Sequence, residues 1–330
     1  MKKDFDNPAA FIIPHFNTGT DIERKWLVEA LDSVKAQTDT NWKIIIVDDA
    51  SPSQEDIKFL QQIKNDFAEK IELIFLPDNK GPGNARNVGI KKAYQEGCPF
   101  ILFLDQDDIA HPQRVEVTKE IFRTQPEVGV VYSSFQVIDD MGNTVAKENI
   151  TPSIWEILEQ HNTNPPEGKN VWIKIANETG YINLTSATSV ITGIAYQYPF
   201  PNERVSEDYY TWLLYSAGGA EYAYTPLTPA KYRIPNCSCG SRSRNLFGDQ
   251  HKFNIVKSVI DTRGFQKASQ LAIGKGDITE DQLKIIKIKF FIRKAKSMEL
   301  DGETEIAEDF YTRARDVDKE ITEKFLSVFF

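Results

Sequence analysis

Three carboxylates lie close together in the segment Asp105-Gln106-Asp107-Asp108, which follows the apolar residues 100–104. Like charges at this spacing repel one another unless a cation lies among them. Carboxylate oxygens suit Mg²⁺ or Mn²⁺, which proteins usually hold through one or two carboxylates and the phosphates of a substrate. A plainer role fits equally well, because Asp108 could cap a helix that begins near Pro112. The segment alone leaves a metal site and a helix cap as open alternatives.

The elements that precede this acidic segment predict where it lies in the fold. Apolar runs indicate buried strands, and the residues between them have the spacing of amphipathic helices. The predicted strands lie near residues 9–13, 42–47, 71–76 and 100–104. Strands that alternate with helices indicate an α/β fold with a doubly wound, mostly parallel sheet and helices on both faces. Such sheets bind ligands at the carboxyl ends of their strands, where this chain has residues 14–17, Asp48-Asp49 and the acidic segment.

The regular alternation of strands and helices fades after residue 110. We expect a helix near residues 113–124 and a strand pair near residues 128–139. Residues 152–180 contain two adjacent prolines and few long apolar runs, which predicts a functional loop or lid. Gly, Ser and Arg are frequent in residues 236–248, and three or more helices are predicted after them.

The composition limits the kind of protein that this chain can be. Its 330 residues are 41% hydrophobic, which is enough for a substantial core. The formal net charge of −9 argues against a nucleic-acid partner, because binding to phosphates requires a basic surface. The three cysteines lack metal-ligand spacing and form a poor disulfide framework, so a reducing cytoplasm is the expected location. No apolar stretch approaches the roughly 18 residues of a membrane span.

Six short segments occur in the order known from one enzyme family. They are Ile13-Pro14-His15-Phe16-Asn17, Ser33-Val34-x-x-Gln37-Thr38, Ile46-Val47-Asp48-Asp49-Ala50-Ser51, Gly81-Pro82-Gly83-Asn84-Ala85-Arg86-Asn87-x-Gly89, Asp105-Gln106-Asp107-Asp108, and Glu207-Asp208 with Trp212. Through these segments the chain resembles the family 2 glycosyltransferases over roughly residues 9–235. The resemblance implies the GT-A fold and an inverting, metal-dependent enzyme. Such an enzyme would move a sugar from a UDP-sugar donor to a glycan or lipid-linked acceptor in polysaccharide biosynthesis.

The resemblance implies a divalent cofactor, Mn²⁺ or Mg²⁺, at the acidic segment. It assigns Asp107 to metal coordination and Asp105 to the ribose or the metal. A cation there would stabilise the charge that grows on the leaving diphosphate in the transition state. Asp49 is the expected acceptor for the imide N–H of uracil, because an ionised carboxylate only accepts hydrogen bonds.

Further contacts to the nucleotide-sugar are expected from Pro14, Phe16, Asn17 and Arg86. The backbone of Pro14 and the side chain of Phe16 would form a wall beside the flat base. Arg86 follows a glycine-containing turn and could bridge base and phosphate through its planar fork of donors. A surface ion pair between Arg86 and Asp78 is the alternative.

The segment Tyr232-Arg233-Ile234-Pro235 departs from the family pattern Tyr-Arg-x-His, because Pro235 stands in place of the histidine. No histidine is therefore expected to complete the metal site at this position. Arg233 is assigned to nucleotide-sugar binding, and Arg242 with Arg244 is the alternative clamp for the diphosphate.

Inversion at the sugar requires a general base on the side opposite the leaving nucleotide. Asp208 is the predicted base, and Glu207 is predicted to orient the acceptor or its neighbour. Both residues begin an amphipathic helix, so the alternative is a pair of acids that the helix dipole favours.

The resemblance divides the chain into a glycosyltransferase domain and a C-terminal region. The domain covers residues 1–235, with a nucleotide-binding half over 1–110 and an acceptor half over 111–235. Residues 236–330 are expected to form a flexible loop followed by helices. No oligomeric state follows from the sequence.

Basic and large apolar residues alternate in residues 284–294. This mixture predicts either peripheral contact with the inner face of the membrane or packing against a following helix at 305–324. The expected location is therefore cytoplasmic, with the membrane surface as a possible site of contact.

Two other functions remain open from the sequence. A nucleotidyltransferase also uses a metal and a doubly wound sheet, but generally has a loop rich in glycine and basic residues after its first strand. This chain has Pro14-His15-Phe16-Asn17 there instead. A catalytically inactive, carbohydrate-binding or scaffold relative is the second alternative, which the complete set of acidic residues disfavours.

Overall fold

The computed structural model describes residues 4–234 and 246–328. Within them, seven strands form one mixed sheet. The strands are β1 (Ala9–His15), β2 (Trp42–Asp48), β3 (Ile71–Phe75), β4 (Phe100–Phe103), β5 (Val128–Ile138), β6 (Thr188–Ile191) and β7 (Glu221–Arg233). Their order across the sheet is β3-β2-β1-β4-β6-β5-β7, and β6 is antiparallel to both of its neighbours.

Helices cover both faces of this sheet and continue beyond it. In the first part of the chain they are α1 (Asp21–Lys35), α2 (Gln54–Phe67), α3 (Pro82–Gln95), α4 (Arg114–Thr124), α5 (Pro152–Thr163), α6 (Val171–Lys174), α7 (Thr192–Gln197) and α8 (Glu207–Ala217). The C-terminal helices are α9 (Gln250–Lys275), α10 (Glu280–Leu300), α11 (Thr304–Val317) and α12 (Lys319–Val328).

The central strand β1 shows why the sheet is covered on both sides. Ala10 and Ile12 belong to one hydrophobic cluster, whereas Phe11 and Ile13 belong to another. Successive side chains of a strand point to opposite faces of the sheet, so a strand that is apolar throughout must be covered on both faces. The predicted α/β fold, with a mostly parallel sheet and helices on both faces, is confirmed.

Helix α3 packs unusually close to the sheet because of one glycine. A Cβ atom at Gly89 would lie 2.7 Å from Cγ2 of Ile12, which is too close for ordinary contact. The glycine therefore lets α3 approach β1, and this close packing fixes the position of Arg86 near the start of the helix.

The C-terminal helices share the core of the sheet domain. Phe265 of α9 and Phe290 of α10 stack with their ring centroids 4.0 Å apart, and both belong to the same hydrophobic cluster as Ile12. The predicted helical C-terminal region is thus confirmed. The proposed division at residue 235 stays a prediction, and the hydrophobic core crosses it.

The basic and apolar residues 284–294 lie in α10. Ile286, Ile288, Phe290 and Ile292 are buried inside the protein, so their apolar surface is not available to a membrane. The alternative of packing against the following segment is confirmed, although that segment is two helices, because the chain is extended at Asp318. None of the helices in residues 4–234 and 246–328 has the length and apolar character needed to cross a bilayer.

Two local predictions are wrong. Residues 152–180 are largely helical rather than an irregular loop: Pro152 starts α5, where its missing N–H costs nothing, and Ile157 is buried. Their predicted role as a lid stays a prediction. Residues 128–138 form one strand instead of a strand pair. After the polar turn that follows β5, the chain pairs with this strand only at an isolated bridge between Ile138 and Thr144.

Candidate active site

The carboxyl ends of β1, β2 and β4 meet at a cleft with a volume of about 410 Å³. Its wall contains Phe16 after β1, Asp49 after β2, and Asp105 and Asp107 after β4. Arg86 from the start of α3 also lines this cleft. The structure therefore brings together residues that lie far apart in the sequence and were predicted to share one rim of the sheet.

Gln106 holds the backbone of Phe16 through two hydrogen bonds. Its Nε2 donates to the Phe16 carbonyl at 3.0 Å, and its Oε1 accepts from the Phe16 N–H at 2.9 Å. Gln106 is buried, whereas Phe16 is 37% exposed in the cleft wall. A ring fixed in this way offers a flat apolar surface on which a base can stack. No role was predicted for Gln106, and its position between two acids was the only signal in the sequence.

Asp49 is buried at the carboxyl end of β2, where it shapes the loop that leads into α3. Its Oδ1 accepts from Lys80 N at 3.0 Å and its Oδ2 from Gly81 N at 2.7 Å. Ala50 has a φ of 60°, a conformation that is uncommon for residues other than glycine and often occurs at functional sites. A carboxylate can accept about four hydrogen bonds, so Asp49 can still accept from a ligand.

Asn17 lies behind the cleft and is not among the residues of its wall. Its Nδ2 donates to Asp56 Oδ1 at 3.0 Å, while its Oδ1 accepts from the N–H groups of Gly19 and Thr20. These bonds use the amide to shape the turn before α1. Its predicted contact with the nucleotide-sugar stays a prediction that the geometry does not favour. Pro14, by contrast, lines the cleft as expected.

Arg86 joins three elements at the cleft. Its Nη2 donates to Asp105 Oδ1 at 2.7 Å, and its Nη1 donates to Glu207 Oε1 at 3.0 Å. Arg86 is buried, which disfavours its charge, but these two carboxylates raise its pKa above the ordinary value. A Cβ atom at Gly83 would lie 3.1 Å from Cγ of Glu207, so this glycine lets α3 approach α8. The alternative of a surface ion pair with Asp78 is wrong.

The acidic segment is a turn, in which Asp108 N donates to Asp105 O at 3.1 Å. Asp108 is not a helix cap, because α4 begins at Arg114 and Gln113 occupies the N-cap position. Burial raises the pKa of Asp108 well above its ordinary value, and the charges of Asp107 and Asp105 add to this effect. The helix-cap alternative is therefore wrong, and a buried carboxyl group lies beside two others.

A divalent cation fits this set of oxygen atoms. Oδ2 of Asp108 is buried and has no hydrogen-bond partner within the described residues. The same residues, 4–234 and 246–328, contain no group of three or more His, Cys, Asp and Glu side chains arranged to hold a metal. Mg²⁺ and related ions often use only one or two carboxylates, with substrate phosphates as further ligands. The acidic segment suits this second kind of site.

Arg233, at the end of β7, supports the acidic segment. Its Nε donates to the Asp107 carbonyl at 2.8 Å, its Nη1 to two carbonyls of the turn after β5 at 2.8 and 3.1 Å, and its Nη2 to Glu29 at 2.6 Å. Arginine has five N–H donors, and these contacts use four of them. Arg233 lines the cleft, but this geometry favours a positioning role over the predicted contact with the nucleotide-sugar. The alternative arginines, Arg242 and Arg244, lie outside the described residues.

Arg233→Met is expected to lower the free energy of unfolding by about 3 kcal/mol, because it leaves several buried carbonyls and a carboxylate without a donor. It should also weaken any binding that depends on Asp107. Urea denaturation measures the first effect. Arg313→Met, which removes a half-exposed ion pair with Asp309, is the control and should cost less than about 1 kcal/mol. Equal losses in the two variants would contradict the supporting role.

Glu207 and Asp208 begin α8, directly after Ser206. Asp208 Oδ1 accepts from Tyr209 N at 2.8 Å and from the Tyr181 hydroxyl at 3.3 Å. Burial raises the pKa of Asp208 above its ordinary value, although these two donors lower it. Burial also raises the pKa of Glu207 to about 7, with a contribution from Asp208 and against the effect of Arg86. Two neighbouring carboxyl groups with raised pKa values are typical of sites for proton transfer.

A second cleft, with a volume of about 370 Å³, adjoins the first. The residues that line both clefts are Arg86, Asp105, Glu207, Tyr232 and Ile234. Asp208 lines only the second cleft, and α9 and α10 supply part of its wall. The Arg86 ion pairs therefore separate one cleft beside the acidic segment from another beside Asp208.

The sheet order, the acidic turn after β4 and the acidic pair at α8 define an α/β protein of the GT-A class. The family model described as "Glycosyl transferase family 2" matches residues 10–184, which is more than half of the chain. The chain belongs to this family of transferase enzymes. The predicted recognition and enzyme class are thus confirmed.

Individual relatives agree with this membership. An uncharacterized glycosyltransferase of Rickettsia felis is 34% identical over 140 residues, which are 42% of this chain and 21% of that protein. The chain thus spans about a fifth of the length of this relative. The Escherichia coli UDP-Glc:alpha-D-GlcNAc-diphosphoundecaprenol beta-1,3-glucosyltransferase WfgD is 25% identical over 261 residues, 78% of this chain and 86% of that protein.

A solved structure supports the fold over nearly the whole chain. S. aureus TarS 1-349 in complex with UDP-GlcNAc aligns with a TM-score of 0.58 and 15% sequence identity. The alignment covers 97% of this chain and 92% of that one. At this identity the likeness shows a shared fold, which includes the C-terminal helices.

Proposed function

We propose that this glycosyltransferase is inverting and metal-dependent, and that it moves a sugar from a UDP-sugar to a glycan or lipid-linked acceptor in polysaccharide biosynthesis. The observation that carries the proposal is the junction of two clefts, with Asp107 in the first and Asp208 in the second. Two similar proteins support a UDP-linked donor: WfgD uses UDP-Glc, and TarS was crystallised with UDP-GlcNAc.

The first cleft suits the nucleotide. The exposed ring of Phe16 offers a stacking surface for the base, and Asp49 can accept from the imide N–H of uracil beside it. Arg86 lies between the two clefts, and its guanidinium is already bound to the carboxylates of Asp105 and Glu207. Its buried guanidinium therefore holds Asp105 and Glu207 in place where the two clefts meet.

The acidic segment suits Mn²⁺ or Mg²⁺, with Asp107 as the ligand and Asp105 as a second ligand or a contact to the ribose. When bound, the cation would neutralise part of the charge that develops on the leaving diphosphate. Arg233 binds the carbonyl of Asp107, and the side chain of the preceding residue, Gln106, is anchored on the backbone of Phe16. These contacts fix the position in which the Asp107 carboxylate would bind the cation and the donor.

The second cleft suits the acceptor. Asp208 lies in it with two hydrogen-bond donors on Oδ1 and can take the proton of an acceptor hydroxyl as that oxygen attacks the sugar. The attack would come from the second cleft while the nucleotide leaves into the first, which inverts the configuration. Glu207 keeps its place through Arg86 and helps to orient the acceptor.

The acceptor half and the C-terminal helices would bind the acceptor together, because both line the second cleft. A lipid-linked acceptor would place the enzyme in the cytoplasm at the inner face of the membrane. We do not propose direct membrane contact through residues 284–294, because four of their six large apolar side chains are buried.

The proposal is tested by a screen of UDP-sugars for hydrolysis with and without Mn²⁺, because slow transfer to water identifies the donor without the acceptor. Asp107→Asn is expected to weaken UDP binding in the presence of Mn²⁺ by about 10- to 100-fold, the loss typical when support for a metal is removed. Binding in the presence of a chelator should be unchanged. Calorimetry with UDP measures both values.

Asp4→Asn, which changes an exposed carboxylate that does not line the cleft, is the control. An affinity of the unchanged protein for UDP that is the same with and without Mn²⁺ would contradict the metal dependence. Binding without any turnover of donor would favour an inactive relative, and release of pyrophosphate from a nucleoside triphosphate would favour a nucleotidyltransferase.

A further inference from the structure

The C-terminal helices place a group of charged residues in the wall of the second cleft. Lys257 and Asp261 of α9 and Lys294 of α10 line this cleft together with Asp208. The segments that carry the family resemblance end before these helices begin. Their place beside Asp208 is therefore a feature that the structure alone reveals.

Asp261 binds two ammonium groups at once. Its Oδ2 lies 2.6 Å from Nζ of Lys257 and 2.6 Å from Nζ of Lys294. Asp261 and Lys294 are buried, whereas the side chain of Lys257 is 22% exposed. Although burial disfavours its charge, the two lysines hold the pKa of Asp261 well below its ordinary value. One lysine is enough to neutralise Asp261, so the second is a surplus positive charge at the cleft. Burial lowers the pKa of Lys294 to about 8, so both lysines are charged below that pH.

A short chain of hydroxyl groups leads from Asp261 to Asp208. Ser206 Oγ donates to Asp261 Oδ1 at 2.5 Å, and the Tyr181 hydroxyl lies 2.9 Å from Ser206 Oγ. Ser206 gives its only proton to Asp261, so the Tyr181 proton is shared between Ser206 Oγ and Asp208 Oδ1, at 3.3 Å. Lys257 also lies over the Tyr181 ring, 5.5 Å from its centroid.

Ser206 is held in a strained backbone conformation. Its φ of 57° lies in the left-handed region, which disfavours residues with a Cβ atom. The bond to Asp261 ties this residue to α9 and so fixes the start of α8, where Asp208 lies. Strain of this kind persists where the surroundings over-determine the conformation, typically at functional sites.

Other charged groups also line the cleft that holds Asp208, among them Arg86, Glu207, Arg293 and Lys294. Arg86 lowers the pKa of Asp208, but it binds Asp105 and Glu207 directly. Glu207 is an acid itself, so it offers no positive charge to stabilise the carboxylate of Asp208. Arg293 donates to the Ala176 carbonyl at 3.5 Å, whereas Lys257 lies over the ring of Tyr181, which donates to Asp208. Lys257 is thus the lysine placed to act on Asp208, and it shares its own partner Asp261 with Lys294.

We propose that Lys257 and Tyr181 are positioning residues for Asp208: the surplus ammonium group and the phenol keep its carboxylate ionised and oriented toward the acceptor. The C-terminal helix α9 is then part of the catalytic centre rather than an appended support. This inference rests on the proposed role of Asp208 as the base, and it adds the residues that prepare the base for proton transfer.

The competing explanation is that the buried ion pairs only join α9 to α10. The two lysines allow a clean distinction. Lys257→Met leaves Asp261 paired with Lys294, so no buried charge loses its last partner and the fold is expected to persist. A merely structural role predicts no change in the ionisation of Asp208, whereas a positioning role predicts one.

The test is an NMR titration of the full chain with aspartate labelled with ¹³C at the carboxyl carbon. The signal that Asp208→Asn removes identifies Asp208. Tyr181→Phe removes a donor to the ionised carboxylate, and Lys257→Met removes a nearby positive charge. Either change is expected to raise the pKa of Asp208 by about one pH unit. The measurement needs neither donor nor acceptor.

The matched control for Tyr181→Phe is Tyr132→Phe, which also removes a buried phenol that donates at 2.9 Å, to the Pro166 carbonyl. Lys119→Met, which removes a partly buried ion pair with Asp39, is the control for Lys257→Met. The proposal is overturned if the pKa of Asp208 is the same in the test variants as in the controls. If it shifts as expected but Asp208→Asn retains transfer, the network stands and the proposed base is wrong.

Discussion

Asp208→Asn is expected to lower the rate of sugar transfer by about 10²- to 10⁴-fold, the usual contribution of a general base. The amide has nearly the same shape and can still accept from Tyr181 and Tyr209 N through its oxygen. It cannot take a proton from an acceptor hydroxyl. Because Asp208 does not line the first cleft, the affinity for UDP should be unchanged. Steady-state kinetics and calorimetry with UDP measure the two quantities.

The pH dependence of transfer provides a second measurement of the same role. Burial raises the pKa of Asp208 above the ordinary value of 3.8 for an aspartate. A base works only when it is ionised, so the rate should fall as the pH decreases through this raised pKa. Asp281→Asn, at an exposed carboxylate of α10 that lines neither cleft, should leave both rate and profile unchanged. Near-normal turnover of Asp208→Asn would mean that Asp208 is not the base, and Glu207 would then be the candidate.

The parallel half of the sheet could be predicted because its strands are buried on both faces. Such strands must be apolar throughout, and β1 and β2 have this pattern in the sequence. Their carboxyl ends must then lie on one rim, which placed Phe16, Asp49 and Asp105 together. The motif spacing added Arg86, and the structure shows it as the link between Asp105 and Glu207.

Other parts of the site depend on contacts between distant residues, which spacing does not encode. Arg233 matches a family motif, yet its guanidinium contacts carbonyls and Glu29, and only the closed fold shows which donors are used. Helices α9 and α10 are buried on several sides, so their apolar residues do not form a single stripe at helical spacing in the sequence. Their contribution to the second cleft, through Asp261 and its two lysines, was therefore not predicted.

Arg86→Met is expected to lower the free energy of unfolding by about 3 kcal/mol at pH 8, because it leaves the buried carboxylate of Glu207 and the partly exposed carboxylate of Asp105 without their cation. Arg86 is 4% exposed and Glu207 is 8% exposed, so water can replace little of the lost interaction. Urea denaturation at a fixed pH measures the change. Arg123→Met, at an exposed ion pair with Glu120, is the control and should cost less than about 1 kcal/mol.

The loss in Arg86→Met should depend on pH in a definite direction. The pKa of Glu207 is raised to about 7, above the ordinary value of 4.5, so the folded state binds more protons than the unfolded state between these values. Arg86 lowers the pKa of Glu207, so in Arg86→Met this pKa lies above 7 and Glu207 takes up its proton at a higher pH than in the unchanged protein. Protonation removes one of the two unpaired charges, so the difference in stability between Arg86→Met and the unchanged protein should shrink as the pH falls from 8 to 7 and change little below it.

A second substitution separates this electrostatic cause from a packing defect. Glu207→Gln removes the same charge at every pH, so the double variant Arg86→Met, Glu207→Gln should be more stable at pH 8 than Arg86→Met alone. It should also lose most of the pH dependence. A double variant no more stable than the single one would mean that Arg86 acts through its volume between α3 and α8. The buried ion pairs that join the two clefts would then be a consequence of packing and not its cause.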